Sequence, residues 1–348
     1  MVNLKAFISV MAAVCILICA ASCSVDESSS ESSVSSITPS KSTTPITSIY
    51  QPSPTPPMPT PDDPPRTEPN PASDFDYIIN GDDITITRYK GTDEHVIIPK
   101  EIDGKRITSI GDRAFASCNL TNITIPDSVT SIGDNAFNGR LQLTDITIPD
   151  SVTSIGDYAF SSSGLFTITI PGSVTSIGYG AFSYCRSLTA VTILAGVTSI
   201  GDGAFLECRN LTSIIIPNSV TSIDGYAFAG CYRLTGVTIP DGLININKNT
   251  FSQCRSLEEI VIPSSVISIG SHAFNDCSGL TSVFISDGVT SIGDNAFLGS
   301  GFFTITIPSS VTHISASAFA GCSITVTCPP NSYAHQYCVE NGIPFQLA

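Results

Sequence analysis

Cysteine is the residue type whose spacing most suggests chemistry in this chain. Twelve of the 348 residues are cysteine, and Cys185, Cys208, Cys231, Cys254 and Cys277 fall 23 residues apart, with Cys118 and Cys322 at matching places. Thiols repeated at a fixed step could hold a metal or relay electrons. Neither a CxxC pair nor a Cys/His set with zinc-ligand spacing accompanies them. They are therefore predicted to form a column of buried thiols, behaving as small apolar residues with weak hydrogen-bonding capacity. Cys328 and Cys338 stand apart near the end of the chain, where an oxidising compartment permits either a disulfide or two free thiols.

The remaining reactive types are dispersed. His95, His272, His313 and His335 lie in four distant segments, none beside a nucleophile in a recognisable arrangement. No GxSxG, HExxH, phosphate-loop or dinucleotide fingerprint is present. Asp127, Asp150, Asp241 and Asp287 recur, but a calcium β-roll needs a glycine-rich nonapeptide that this chain lacks, so they are read as turn residues. No enzyme, cofactor or metal is predicted. With 15 basic and 30 acidic residues, the net charge of −15 disfavours nucleic acid and anionic membranes as partners. Trp is absent and aromatics are 8%, which leaves little material for a sugar-stacking platform.

What must position any site is a repeat. Pro126 to Ile148 reads PDSVTSIGDNAFNGRLQLTDITI, and nearly the same sentence follows from Pro149. The markers Pro99, Pro126, Pro149, Pro171, Leu194, Pro217, Pro240, Pro263, Ser286 and Pro308 are separated by one step of 27 residues and then steps of 22 or 23. One such unit cannot bury its own apolar face, so units stack into a solenoid. Within each unit, a stretch such as Leu188–Ile193 alternates as a strand with Val191 and Ile193 inward. Proline or its substitute ends it, and Val174–Ile177 forms a second extended piece. A turn or helical turn then carries Ala181-Phe182, with Asp112, Asp134, Asp157, Asp202 and Asp294 placed as helix N-caps. One phenylalanine per unit, from Phe115 to Phe319, is predicted to form a buried stack.

The unit IPxxVTSIGxxAFxxCxxLTxITI resembles the BspA-like, treponemal-type leucine-rich repeat family from about Pro99 to Cys328. The segment Asn331–Gly342 also resembles that family's closing cap, a short helix stopped by Asn341-Gly342. The resemblance implies a curved, right-handed leucine-rich-repeat solenoid, with a parallel β-sheet on one face and short turns or helical turns opposite. It also implies adhesion to host, matrix or other cell-surface proteins. Leu194 and Ser286 depart from the pattern at the proline position. Three units are one residue short, between Phe115 and Leu120, Phe160 and Leu165, and Phe297 and Phe302, so the coil is expected to differ locally there.

Residues 1–23 carry Lys5, an apolar run from Ala6 to Ala21, and Ser22-Cys23, the layout of an export signal. The segment resembles a bacterial lipoprotein signal, with Cys23 as the acylated residue; an ordinary cleaved signal or an uncleaved anchor is the alternative. Residues 24–74 are Ser/Thr/Pro-rich and are predicted to be a disordered stalk. At about 3 Å per residue it would reach on the order of 100 Å. Residues 75–96 are read as an N-terminal cap, 97–328 as ten repeats and 329–348 as a C-terminal cap.

The candidate site lies on the outward column of the strands: Thr124, Thr147, Thr169, Thr192, Ile215, Thr238, Val261, Phe284 and Thr306. Ile215, Val261 and Phe284 interrupt the threonines, and Glu258 and Glu259 supply an acidic rim beside Val261. The expectation is a non-catalytic, monomeric lipoprotein, exported and held in the membrane at the bacterial surface by a lipid on Cys23. It would bind an extracellular protein through these residues. A polysaccharide-binding accessory role and a variable coat or spacer are the competing readings.

Overall fold

The structure, a computed structural model, describes residues 67–348. The signal segment, Cys23 and the stalk up to residue 66 lie outside the described residues. Residues 67–348 form a parallel β-solenoid of about 12 turns with little helix. Each coil contributes to three backbone ladders, and the repeat's consensus residues are legible as the parts of those ladders.

The first ladder is the alternating strand. Thr167–Ile170, Ala190–Ile193 and Ser213–Ile215 pair in parallel, as do Glu259–Ile262, Ser282–Ile285, Thr304–Thr306 and Thr325–Cys328. Between these two blocks only the bridge Ser213↔Gly236 remains, at a glycine that has no side chain to pack on a strand. The second ladder consists of the two-residue Ser-Ile pieces, for example Ser176↔Ser199↔Ser222 and Ile177↔Ile200↔Ile223. The third lies in the Ala-Phe turn, where each phenylalanine N–H donates to the next coil, as Phe182 to Ala204 and Phe205 to Ala227, both at 2.8 Å.

The turns between strands follow from sequence. Pro126, Pro149, Pro171, Pro217, Pro240, Pro263 and Pro308 each accept the N–H three residues on, at 3.0–3.2 Å. Leu194 and Ser286 close the same turn at 3.4 Å, so replacing proline loosens the turn without removing it. Hydroxyls then satisfy carbonyls on the neighbouring coil: Ser151 to Val129 at 2.7 Å, Thr153 to Thr130 at 3.1 Å, Thr212 to Thr189 at 3.0 Å. The Ser/Thr richness of the repeat is thereby structural, because a stacked coil leaves polar backbone that must find a partner.

The Ala-Phe segment differs from its predicted form as a capped helical turn. From Phe137 to Phe297 each one lies between two left-handed residues, such as Asn135 at φ 57° and Gly139 at 74°, or Tyr158 at 55° and Ser162 at 57°. Left-handed backbone at both ends prevents a helix from propagating. The aspartates accordingly cap nothing. Asp112, Asp134 and Asp157 each accept the backbone N–H at the same place on the next coil, from Asp134, Asp157 and Tyr179, at 2.8–2.9 Å.

The phenylalanines do stack. From Phe115 to Phe319 successive ring centroids are 5.1–5.6 Å apart with planes within 15°. At one end the antiparallel hairpin Phe75–Asn80/Asp83–Tyr89 extends the column through Tyr89. At the other, the helix Tyr333–Asn341 closes it with Tyr337 set edge-on against Phe319. Ser332 caps that helix by accepting the His335 N–H, and Gly342 ends it at φ 64°.

Candidate functional site

The thiol column is fully inside the molecule. Cys185, Cys208, Cys231, Cys254 and Cys277 are buried, and each Sγ donates to a phenylalanine carbonyl of the preceding coil, at 3.1–3.3 Å. Ser300 and Cys322 occupy the same slot and donate in the same way, to Phe274 and Phe297. Arg140 fills it in an earlier coil and reaches the Cys118 and Ala116 carbonyls. The slot thus selects a donor, which explains why cysteine, serine and arginine interchange there. Burial pushes the Cys185 thiol up to about 11 and Cys277 to about 12, and raises the three between them well above the ordinary range. Thiols held protonated are poor nucleophiles and poor metal ligands. Cys328 and Cys338 are both free and buried, so no disulfide joins them. The four histidines are not brought together with a nucleophile, and no group of three metal-ligating residues occurs among the described residues.

The outward column is positioned by the first ladder. Thr169, Thr192 and Ile215 lie in one register row, and Val261, Phe284 and Thr306 in another. Ile215, Val261 and Phe284 are 64%, 58% and 53% exposed, while Ile214, Ile260 and Val283 beside them face the core. Val261 and Phe284 are direct cross-strand neighbours. Glu259 shares the strand with Val261 and pairs with Ser282; Glu258 is exposed immediately before it, its carbonyl accepting the Thr281 hydroxyl at 3.1 Å. Ile215 is two coils away, beyond Thr238 and the gap at Gly236, so it adjoins the other four residues without touching them in register.

Sequence reasoning missed Phe303, which at 73% is the most exposed aromatic of this face. It precedes the strand Thr304–Thr306 where most units have threonine, and that substitution was its signal. It also missed a second feature off this face. Five of the ten tyrosines, Tyr158, Tyr179, Tyr184, Tyr226 and Tyr232, fall within 75 residues of one another. Four of them line an open notch of about 590 Å³ in the Ala-Phe turns. Tyr158 and Tyr179 meet edge to face at 5.1 Å. The neighbouring Tyr179 hydroxyl, ahead of burial, raises the Tyr158 phenol to about 12.

The BspA type leucine rich repeat family matches residues 108–232 and 198–325, with six copies. Among solved structures, a leucine rich cell surface protein from Faecalibacterium prausnitzii is 28% identical, covering 81% of this chain and 96% of its own, with a TM-score of 0.43. The T. pallidum leucine rich repeat protein is 23% identical over 81% of this chain and 99% of its own, with a TM-score of 0.35. The pneumococcal vaccine antigen PcpA is 18% identical over 80% and 91%, with a TM-score of 0.50, a likeness of fold. No curated protein matches. On a match that spans most of its length, and on stacked coils that carry the repeat's residues in the repeat's roles, the chain belongs to the BspA type leucine rich repeat family.

Proposed function

We propose that this chain is a non-catalytic binding protein, exported and lipid-anchored at Cys23, that presents its long-strand face to an extracellular protein. The observation that carries the reading is the Val261–Phe284 pair. Two large apolar side chains stand exposed in register on a face where threonine is the commonest outward residue, with Glu258 and Glu259 at their edge. Exposed apolar groups with a polar rim are the composition of a protein interface. The threonines beside them tolerate exposure and suit a strand. Ile215 and Phe303 enlarge the patch along the solenoid in both directions. A protein of similar fold is described as a vaccine antigen and another relative as a cell surface protein, which agrees with display outside the cell.

The test is a binding screen of the full-length chain, on cells, against matrix and plasma proteins. The variant Ile215→Asp/Val261→Asp/Phe284→Asp runs in parallel. Saturable binding that falls at least about tenfold in the variant is the expected result, since central interface side chains each carry about 1–2 kcal/mol or more. Undiminished binding would move the site elsewhere. Cys23→Ser in the same assay should release the protein into the medium; retention at the surface would refute the lipid anchor.

A further inference from the structure

The tyrosine notch has a construction that the fold does not require. One position per coil, just before Ala-Phe, is left-handed: Asn135, Tyr158, Gly180, Gly203, Tyr226 and Asn249 occupy it in successive coils at φ 55–61° or close by. Side chains at this position normally project side by side. Glycine in two consecutive coils removes them, leaving a gap bordered by the tyrosines of the flanking coils, whose backbone positions are roughly three strand spacings, about 14 Å, apart. At Gly180 a Cβ would stand 2.6 Å from the Tyr158 ring, so that ring lies across the glycine. Gly203 meets nothing closer than 3.6 Å; the space above it is open. Tyr179 and Tyr184, 47% and 41% exposed, face the same opening.

We propose that this notch is a second binding site, one that takes a neutral glycan chain by stacking its pyranose faces on the tyrosine rings. Three observations favour that class. Exposed phenol rings offer a flat apolar face with a hydroxyl at its edge, matching a sugar's apolar ring face bordered by hydroxyls. Asp202, in the notch, occupies the ladder position of Asp112, Asp134 and Asp157, whose carboxylates each take an N–H from the next coil. No such bond is made by Asp202, whose carboxylate lies beside Gly225 of the next coil at the edge of the notch with its oxygens left to accept sugar hydroxyls. Charge gives anionic chains no advantage, because Lys248, the one basic residue among those lining the notch, is balanced by Asp202 and lies over the Tyr226 ring at 5.4 Å.

Spacing argues against the other polymer that favours tyrosine. A polyproline helix advances about 9 Å per turn, out of step with the Tyr158 and Tyr179 rings one coil and 5.1 Å apart. An extended glycan advances one hexose in about one coil. The site lies off the long-strand face, so it is independent of the protein-binding patch.

Calorimetric titration of the full-length chain with cellohexaose, laminarihexaose and maltohexaose tests the proposal, with hexagalacturonate and decaproline as competing classes. Saturable binding of at least one neutral hexaose is expected, weakened about tenfold or more by Tyr179→Ala. Gly203→Asn should weaken it as much by filling the notch. That variant keeps the fold, because Asn135, Asn249 and Asn295 already hold this backbone at 53–57°. No binding of any neutral hexaose, binding that survives both variants, or preference for hexagalacturonate or decaproline would overturn the assignment.

Discussion

At the scale of single residues, the cysteines show how a suggestive spacing resolves into packing. Their period is that of the coil, and the donor slot they share with Ser300 accounts for it. That slot makes two demands, small volume and one hydrogen-bond donor, and it explains what substitution should do. Cys231→Ser should be nearly neutral, whereas Cys231→Ala should cost about 1 kcal/mol through the lost bond. The same burial ties stability to alkaline pH. Each thiol has a folded pKa above its unfolded value of about 8.5, so its contribution is complete below that pH. It is lost as pH rises towards the folded values, about 11 for Cys185 and about 12 for Cys277, because only the unfolded chain releases its protons. Thermal melts should therefore drop in Tm between pH 8 and pH 10.5, with a shallower fall in Cys231→Ser. A Tm independent of pH over that window would contradict the buried, protonated column.

At the scale of elements, the period, the strand alternation and the phenylalanine stack were legible because each depends on residues within one unit. Val191 and Ile193 inward with Thr192 outward follows from a period of two alone. The role of the aspartates was not legible. Asp134 precedes its turn as an N-cap would, and only stacking reveals that its carboxylate serves Asp157 of the next coil. The notch escaped for the same reason, since Tyr158, Tyr184 and Tyr226 are remote in sequence and come to line one opening only through coil registry. Phe303, by contrast, could have been found by comparing columns. The end elements make a separate prediction. Tyr337 is buried against Phe319, and its hydroxyl donates to the Ser315 carbonyl at 3.3 Å. Tyr337→Ala should open the last coils, at a cost of about 3 kcal/mol. Hydrogen exchange should accelerate in residues 297–328 and not near the hairpin at 75–89. Uniform acceleration along the chain would show that the helix does not act as a local cap.

At the scale of the whole molecule, the coils contact their neighbours through the same ladders, the long-strand one interrupted at Gly236, and through one ring. Stability in such a stack is a sum of coil and interface terms, and the phenylalanine column runs through every interface from Phe115 to Phe319. Each stacked pair adds about 0.5–1.5 kcal/mol beyond burial. Phe205 is central and fully buried, with Phe182 and Phe228 at 5.4 and 5.6 Å. Phe205→Ala removes both ring contacts and leaves a cavity, an expected loss of about 3–5 kcal/mol. The loss falls on two adjoining interfaces, while the halves on either side keep a cap and an intact stack. Unfolding in urea should consequently change in form as well as midpoint, from one transition to two, with a smaller m-value for each. Placing the same substitution at Phe319, beside the C-terminal cap, should lower the midpoint and leave a single main transition. If Phe205→Ala instead unfolds in one step with the m-value unchanged, the solenoid is coupled over more than its nearest neighbours. Nearest-neighbour stacking would then be insufficient to describe how the long face and the notch are held in register.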